Sequence, residues 1–367
     1  MSTDIEHLRQ EIAGLDLELL ENLRRRFELA AQVGTLKAKD GQPVVVREVQ
    51  ERVLQRAREA AKTCETSPEV MEAIFAAIIR GSIERQYRDR LEAGARAGRK
   101  ILIIGAAGAM GKWLCHFLGS MGHNPVGLDT AWGKGARNKN HCASLEEIPD
   151  LAAFDAVFVS VPLETTPNVL SALAEASLPI PVIEIASIKD HLKEALAALR
   201  HAGTPVLSLH PMFGPGKNIF EPLTVVHAVV NNEAAERARI LDLLAHPYLD
   251  LVSLPFDHHD RVMGWLLGLA HLTGMLFASA LSRSGLDPKE MERVASTTFA
   301  RQASTARSIL EEDPQLYFAI QHLNPFRGEV YSALTAALGD LTGAVERDDS
   351  KAFAEIIKGA ASMLPGK

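Results

Sequence analysis

The hydrophobic period of this chain changes between residues 92 and 111, and that change dictates a mixed fold. Ile101-Leu102-Ile103-Ile104 is a continuous apolar run, too short for a helix and closed by glycine, so it reads as a buried strand. The segment Gly105-Ala106-Ala107-Gly108-Ala109-Met110-Gly111 follows and opens a helical stretch. A strand, a glycine turn and a helix start aim unbonded peptide N–H groups at one point, where a pyrophosphate can sit. The spacing is one residue longer than the usual dinucleotide fingerprint, and alanine replaces its second glycine. Gly105, Ala107, Gly108, Met110 and Gly111 are the expected phosphate-side residues. Asp129 ends the next strand candidate 18 residues past Gly111, where a carboxylate meets ribose hydroxyls. It would repel a 2′-phosphate, which favours NAD over NADP. Ser160 and Pro162, in Ser160-Val161-Pro162, close a further strand on the same edge. Apolar runs at 125–129, 155–161, 181–186 and 205–209 alternate with helical stretches. That alternation predicts a doubly wound, Rossmann-type α/β domain over 99–255.

The flanking regions read as all-α. In 1–91, Ile5, Leu8, Ile12, Leu15, Leu19, Leu23, Phe27, Ala30, Val33 and Leu36 recur at steps of three and four. One amphipathic helix of some 35 residues follows, longer than a typical globular helix, and its stripe requires a partner in another subunit. Asp40-Gly41-Gln42-Pro43 breaks it, a second helix spans about 48–61, and Ser67-Pro68-Glu69 starts a third. Residues 256–367 form a second all-α region. Within it, Val262–Leu281 is apolar enough to span a bilayer, with His271 as its one readily ionised side chain. A mid-helix histidine is costly in lipid, and Gly264 and Gly268 would admit a neighbouring helix closely. A buried interface helix of a homodimer is expected, with no membrane. The net charge of −7 gives no reason to expect nucleic acid. Cys64, Cys115 and Cys142 have neither metal nor disulfide spacing, which fits a cytoplasmic protein without a metal.

The chemistry-bearing segment is Leu209-His210-Pro211-Met212-Phe213-Gly214-Pro215. His210 closes a strand candidate at the edge where doubly wound folds place substrates, and histidine suits the base that takes a carbinol proton as hydride leaves. The segment closely resembles the catalytic segment of prephenate dehydrogenase, and the resemblance covers 100 to about 330. It implies His210 as catalytic base. It implies substrate-side roles for Ser187 and Lys189, whose serine bonds substrate and the catalytic histidine, and for His259 of the pair His259-Asp260. His271 matches a second family histidine, while Gly268 stands where many relatives carry another. The resemblance also implies an arginine for a prephenate carboxylate, five residues before Asp313-Pro314. Ser308 occupies that position, so Arg307 is expected with a one-residue insertion, and Arg301 is the runner-up.

Residues 1–90 resemble the AroQ-type chorismate mutases, with Arg9, Arg26, Lys37, Ser82 and Gln86 matching in type and spacing. The implied roles are carboxylate binding by Arg9 and Arg26, ether-oxygen contact by Lys37 and Gln86, and substrate contact by Ser82. A pericyclic rearrangement needs such a clamp and no nucleophile. Helix geometry adds an independent constraint. Arg9 and Arg26 stand 17 residues apart, about 25 Å along one helix, so no small dianion touches both within one chain. Arg9 is therefore expected to serve the other subunit's site. One departure concerns the loop 43–50: an ungapped match from Pro43 puts Val46, Val49 and Gln50 at family substrate positions. Deleting two residues recovers Arg47 and Glu48 there. The expected function is a bifunctional enzyme of tyrosine biosynthesis, taking chorismate to prephenate and then, with NAD, to 4-hydroxyphenylpyruvate. The alternative is a dehydrogenase for arogenate or 4-amino-4-deoxyprephenate whose mutase module is retargeted, or inactive and serves dimerisation.

Overall fold

The computed structural model describes residues 2–40, 45–93, 98–132, 140–246 and 248–363. Three helices come first: α1 (Ser2–Lys39), α2 (Arg47–Ala61) and α3 (Pro68–Ala93). Ion pairs one turn apart, Arg24 with Glu21 and Glu28, support α1 on its solvent side. The second half of α1 packs on α3 at very short range. A Cβ at Gly34 would lie 2.7 Å from Gln86 Cγ, and one at Gly81 3.1 Å from the Phe27 ring. Both glycines are needed for that approach. The first half of α1 has no such cover, and Ile5, Leu8, Ile12, Leu15 and Leu19 remain exposed in the single chain. The helix breaker expected at Gly41–Pro43 falls outside the described residues.

An eight-stranded sheet follows: β1 (Lys100–Ile104), β2 (Asn124–Leu128), β3 (His141–Cys142), β4 (Ala156–Val159), β5 (Val182–Glu184), β6 (Val206–Pro211), β7 (Leu223–Val229) and β8 (Leu249–Pro255). Its order is β3-β2-β1-β4-β5-β6-β7-β8. Strands β3 to β6 of that order run parallel, as in a dinucleotide-binding fold. Helices α4 (Ala109–Ser120), α5 (Thr166–Glu175), α6 (Lys193–His201) and α7 (Glu233–Leu243) cover both faces. Alternate β1 residues enter the two resulting cores: Leu102 and Ile104 one, Ile101 and Ile103 the other. Burial on both faces explains why β1 is apolar without alternation. Each such fully buried side chain contributes roughly 1.5–3 kcal/mol.

The expected strands are present, but the sequence reading omitted β3, β7 and β8. Strand β6 also runs on past the expected end at 209, because β7 pairs with it antiparallel, His210 opposite Val226. His210 is therefore held inside the sheet.

The remainder is helical: α8 (Phe256–Met263), a π-helical turn (Gly264–Gly268), α9 (Leu269–Ser282), α10 (Pro288–Arg293), α11 (Thr297–Leu310), α12 (Pro314–Leu323), α13 (Arg327–Glu346) and α14 (Ser350–Ala361). Gly264 does admit a neighbour, since its Cβ would touch Val330 of α13 at 3.4 Å. Phe256–Ser282 is long and apolar enough to cross a membrane, and 22% of its most apolar window is buried. Within one chain this helix is only partly covered, as an interface helix would be. Leu266 and Leu276 are exposed.

The helical module touches the sheet domain through side chains. Arg80 of α3 pairs with Glu221 at 2.7 Å, and Gln50 of α2 hydrogen-bonds Tyr248.

Candidate active sites

Four strand ends meet at the carboxyl edge of the sheet. Strand β1 leads into Gly105, whose φ of +89° is open to glycine and strained for other residues. A Cβ there would lie 2.2 Å from the Ser160 carbonyl oxygen, and one at Gly111 would lie 2.1 Å from that of Gly105. The turn therefore packs against the end of β4, and α4 packs against the turn. Gly108 precedes α4 without a side-chain cap, so the first N–H groups of the helix are open to an anion. The Asp129 carboxylate accepts the N–H of Ala107 at 2.9 Å and that of Ala131 at 2.9 Å. It is thereby fixed beside the glycine turn at the end of β2. Pro162 accepts the N–H groups of Thr165 and Thr166, turning the chain from β4 into α5. Ser160 and Met110 are half-buried beside the turn. The group fits a dinucleotide without a 2′-phosphate.

His210, from β6, is buried, and its Nδ1 lies 3.1 Å from His259 Nε2. His259 Nδ1 lies 2.7 Å from Asp260 Oδ1. Asp260 also accepts the backbone N–H groups of Lys189, at 2.9 and 3.0 Å, and Asp190, at 2.7 Å. Asn324 anchors the Asp260 carbonyl at 2.8 Å. The network assigns the protons. A carboxylate only accepts, so His259 Nδ1 carries hydrogen and a neutral His259 offers its Nε2 lone pair. His210 Nδ1–H donates to it, which leaves the lone pair of His210 Nε2 for a ligand. Burial, then the neighbouring His259 and Lys189, pushes the His210 imidazole well below its ordinary pKa. Burial likewise lowers His259, against the opposing pull of Asp260. Burial works to raise Asp260, but the bonds from His259 and the two backbone N–H groups hold it below its usual value.

Two substrate-side expectations are corrected here. Lys189 is fully buried, its ammonium 2.6 Å from Glu184 and 2.7 Å from the Leu209 carbonyl, so it presents nothing to a substrate. His259 is also fully buried with both nitrogens engaged, and it orients His210 instead of binding substrate. The bond expected between Ser187 and the catalytic histidine is replaced by the His259 contact, and Ser187 stands half-buried between Ala186 and Ile188. Arg307 and Arg301 are both exposed on α11, and among the described residues neither hydrogen-bonds the His210 group. His271 is half-buried, its ring edge-on to Tyr317 at 4.6 Å. Beside Gly268, the Gln321 amide donates to the glycine carbonyl at 2.9 Å and accepts from Tyr331. Sequence reasoning missed Glu184, Ser208 and Asn324. The signal for Glu184 was a lone acid inside the apolar run 181–186.

In the helical module the structure brings Arg26, Ser82 and Gln86 together. Arg26 is half-buried and donates to Ser82 Oγ and, at 3.5 Å, to the Ile78 carbonyl. Burial lowers its pKa, though a guanidinium stays charged. Gln86 is buried, and its Oε1 has no hydrogen-bond partner among the described residues. Lys37 lies half-buried near the end of α1. Arg9 is not brought there: it is exposed and pairs with Glu6 at 3.5 Å. Glu48 is exposed in the first turn of α2, and the Arg47 side chain lies outside the described residues. Gln50, the ungapped match for a substrate contact, turns toward Tyr248.

Comparison with known proteins matches three family profiles in sequence order. Residues 8–87 match chorismate mutase type II. Residues 129–230 match the nucleotide-binding domain of prephenate dehydrogenase, and 255–359 match its dimerization domain. The T-protein of Enterobacter agglomerans is 24% identical over 96% of this chain and 91% of its own length. A 4-amino-4-deoxyprephenate dehydrogenase of Streptomyces pristinaespiralis is 27% identical over 72% of this chain and 91% of its own. Prephenate dehydrogenase of A. aeolicus, solved with hydroxyphenyl propionate and NAD+, shares the fold. Its TM-score is 0.59 at 18% identity, over 73% of this chain and 98% of that one.

Proposed function

The chain belongs to the bifunctional chorismate mutase/prephenate dehydrogenase family, and we propose how its own residues divide the two reactions. It is an isomerase and an NAD-dependent oxidoreductase of tyrosine biosynthesis. Chorismate rearranges to prephenate in the helical module. Prephenate is then oxidised at the ring carbinol and loses its ring carboxylate as carbon dioxide, and aromatisation drives the formation of 4-hydroxyphenylpyruvate.

The arrangement His210–His259–Asp260 carries the dehydrogenase reading. Asp260 fixes the tautomer of His259, and His259 fixes that of His210. The Nε2 lone pair of His210 then takes the carbinol proton as the C–H bond releases hydride. NAD, when bound, is the hydride acceptor; Gly105, Gly108, Met110 and Gly111 would hold its phosphates, Ala107, whose N–H goes to Asp129, would shape the turn, Asp129 would meet its ribose, and Ser160 and Pro162 line the same edge. A neutral His210 is required, and burial keeps it so. We assign Ser187 to the substrate and Arg307, or Arg301, to one of its carboxylates.

In the mutase module, Arg26 and Ser82 hold one carboxylate while Lys37 and Gln86 face the breaking ether bond. The buried Gln86 Oε1, without a partner among the described residues, supports a polar ligand beside it. Arg47 and Glu48 belong to the loop that closes it. Arg9, stranded on the uncovered half of α1, completes the site of a second subunit in a homodimer. We place the enzyme in the cytoplasm. The test is single-turnover oxidation of prephenate with NAD, with product and carbon dioxide quantified. Equimolar NADH, carbon dioxide and 4-hydroxyphenylpyruvate support the assignment; NADH formed without decarboxylation would refute it.

A further inference from the structure

Glu184 and Lys189 are an ion pair with no exposure to solvent. Such a pair is a poor stabiliser. Removing two charges from water costs several kcal/mol per ion, and apolar replacements are often neutral or better. Its contacts suggest a different use. The Lys189 ammonium donates to the carbonyl of Leu209, the residue before His210. The backbone N–H of the same lysine donates to Asp260, at the far end of the histidine relay. One residue thus grips both ends of a chain of three side chains. Glu184 holds the grip in place. Its Oε1 accepts from Lys189 and Ser208, and its Oε2 accepts the Ala186 N–H at 2.8 Å. The pair therefore ties the end of β5, the turn after it, β6 and the start of α8 into one unit.

We propose that Glu184 and Lys189 are a positioning pair for the dehydrogenase, keeping β6 in register with α8 so that His210 meets His259. The proposal rests on the dehydrogenase reading above. It goes beyond orienting backbone. The charged or titratable groups around His210 are His259 and Asp260 from α8, Lys189 from the turn and Glu184 from β5. Burial lowers the pKa of the Lys189 ammonium and Glu184 opposes that, holding beside His210 a positive charge that disfavours a second one on the imidazole. Neither residue touches substrate.

The experiment uses the full-length enzyme carrying Glu184→Gln and Lys189→Met together, which removes both charges at nearly constant volume. Prephenate oxidation is followed against pH, with chorismate mutase activity and thermal melting as fold controls. We expect kcat to fall roughly 10-fold or more while KM for prephenate stays within about 2-fold. The acid limb of the profile should move to higher pH, because Lys189 is the member of the pair whose charge acts on His210. A variant with wild-type kcat and acid limb, or a loss confined to KM, would overturn the proposal. Should the double variant melt early, Ser208→Ala decides the matter. It takes one donor from Glu184, adds no volume and leaves the ammonium in place, so a smaller fall in kcat with an unmoved limb is expected, and a wild-type kcat contradicts the idea. A wild-type enzyme inert toward prephenate would count against the dehydrogenase reading itself.

Discussion

His259 Nε2 stands 3.1 Å from His210 Nδ1, and this contact decides which nitrogen of His210 meets the substrate. Were His210 to bond a carbonyl or carboxylate through that nitrogen, the tautomer would be the same. Were it left unpartnered, the proton could sit on Nε2 and the base would be lost. The energetic scale is that of general-base catalysis, about 10²–10⁴ in rate.

His210→Asn should therefore lower kcat for prephenate oxidation by roughly 10²–10⁴-fold with little change in KM. His259→Ala should cost less, about 10–10²-fold, since the base survives in a mixed tautomer population. Steady-state kinetics of both variants, with mutase activity as an internal control, would check this ordering. A His259→Ala loss equal to that of His210→Asn would mean that His259 itself touches the substrate.

Mild acid should destabilise the fold before carboxylates titrate. His246 is buried against Phe117, and burial lowers its pKa from 6.5 to about 4. His210, His259 and His271 are lowered in the same direction, each with burial as the first cause. Below pH 6.5 the unfolded chain binds protons that the native state refuses, so stability falls as pH falls. For His246 the loss reaches on the order of 3 kcal/mol by about pH 4. Denaturant melts between pH 7 and 4.5 should show this decline, and His246→Gln should flatten it. An unchanged slope in that variant would show that His246 is not the responsible group.

Much of this architecture is legible in the sequence for identifiable reasons. The helical period of 5–36 and the apolar run 101–104 each encode one element directly. Gly105 and Asp129 were legible because a close packing contact and a ribose-facing carboxylate each demand one residue type. Strands β7 and β8 were missed although Leu223–Val229 is a β-branched apolar run, because no glycine turn or site motif drew attention to it. Lys189 was misread because spacing near a catalytic histidine says nothing about depth: only the fold shows that its ammonium turns inward to Glu184. The exposed stripe of α1 was foreseeable, since a single long helix has no second face to hide.

Subunit mixing tests the placement of Arg9. Arg9→Ala and Arg26→Ala should each abolish mutase activity in their homodimers. In a mixed dimer, the intact Arg26 of one chain meets the intact Arg9 of the other, giving one working site of two. Random reassortment of equal amounts should restore about a quarter of wild-type activity. No recovery, with exchange verified, would place Arg9 in its own chain's site.

Cofactor choice should rest on Asp129. Asp129→Ser removes the carboxylate that repels a 2′-phosphate, so KM for NAD should rise about 10-fold while the preference over NADP narrows. Gly111→Ala should weaken NAD binding further, because its Cβ would fall 2.1 Å from the Gly105 carbonyl oxygen. Calorimetric titration of both variants with NAD and NADP checks the order. An NAD preference unchanged in Asp129→Ser would move the ribose contact elsewhere.

The central claim is that one chain carries both reactions, and the most direct measurement is NADH formation by the purified protein with NAD and either chorismate or prephenate. NADH should appear at once from prephenate and after a lag from chorismate, as the mutase fills the prephenate pool. NADH from prephenate alone would contradict a working mutase module, and NADH from neither would contradict the account as a whole.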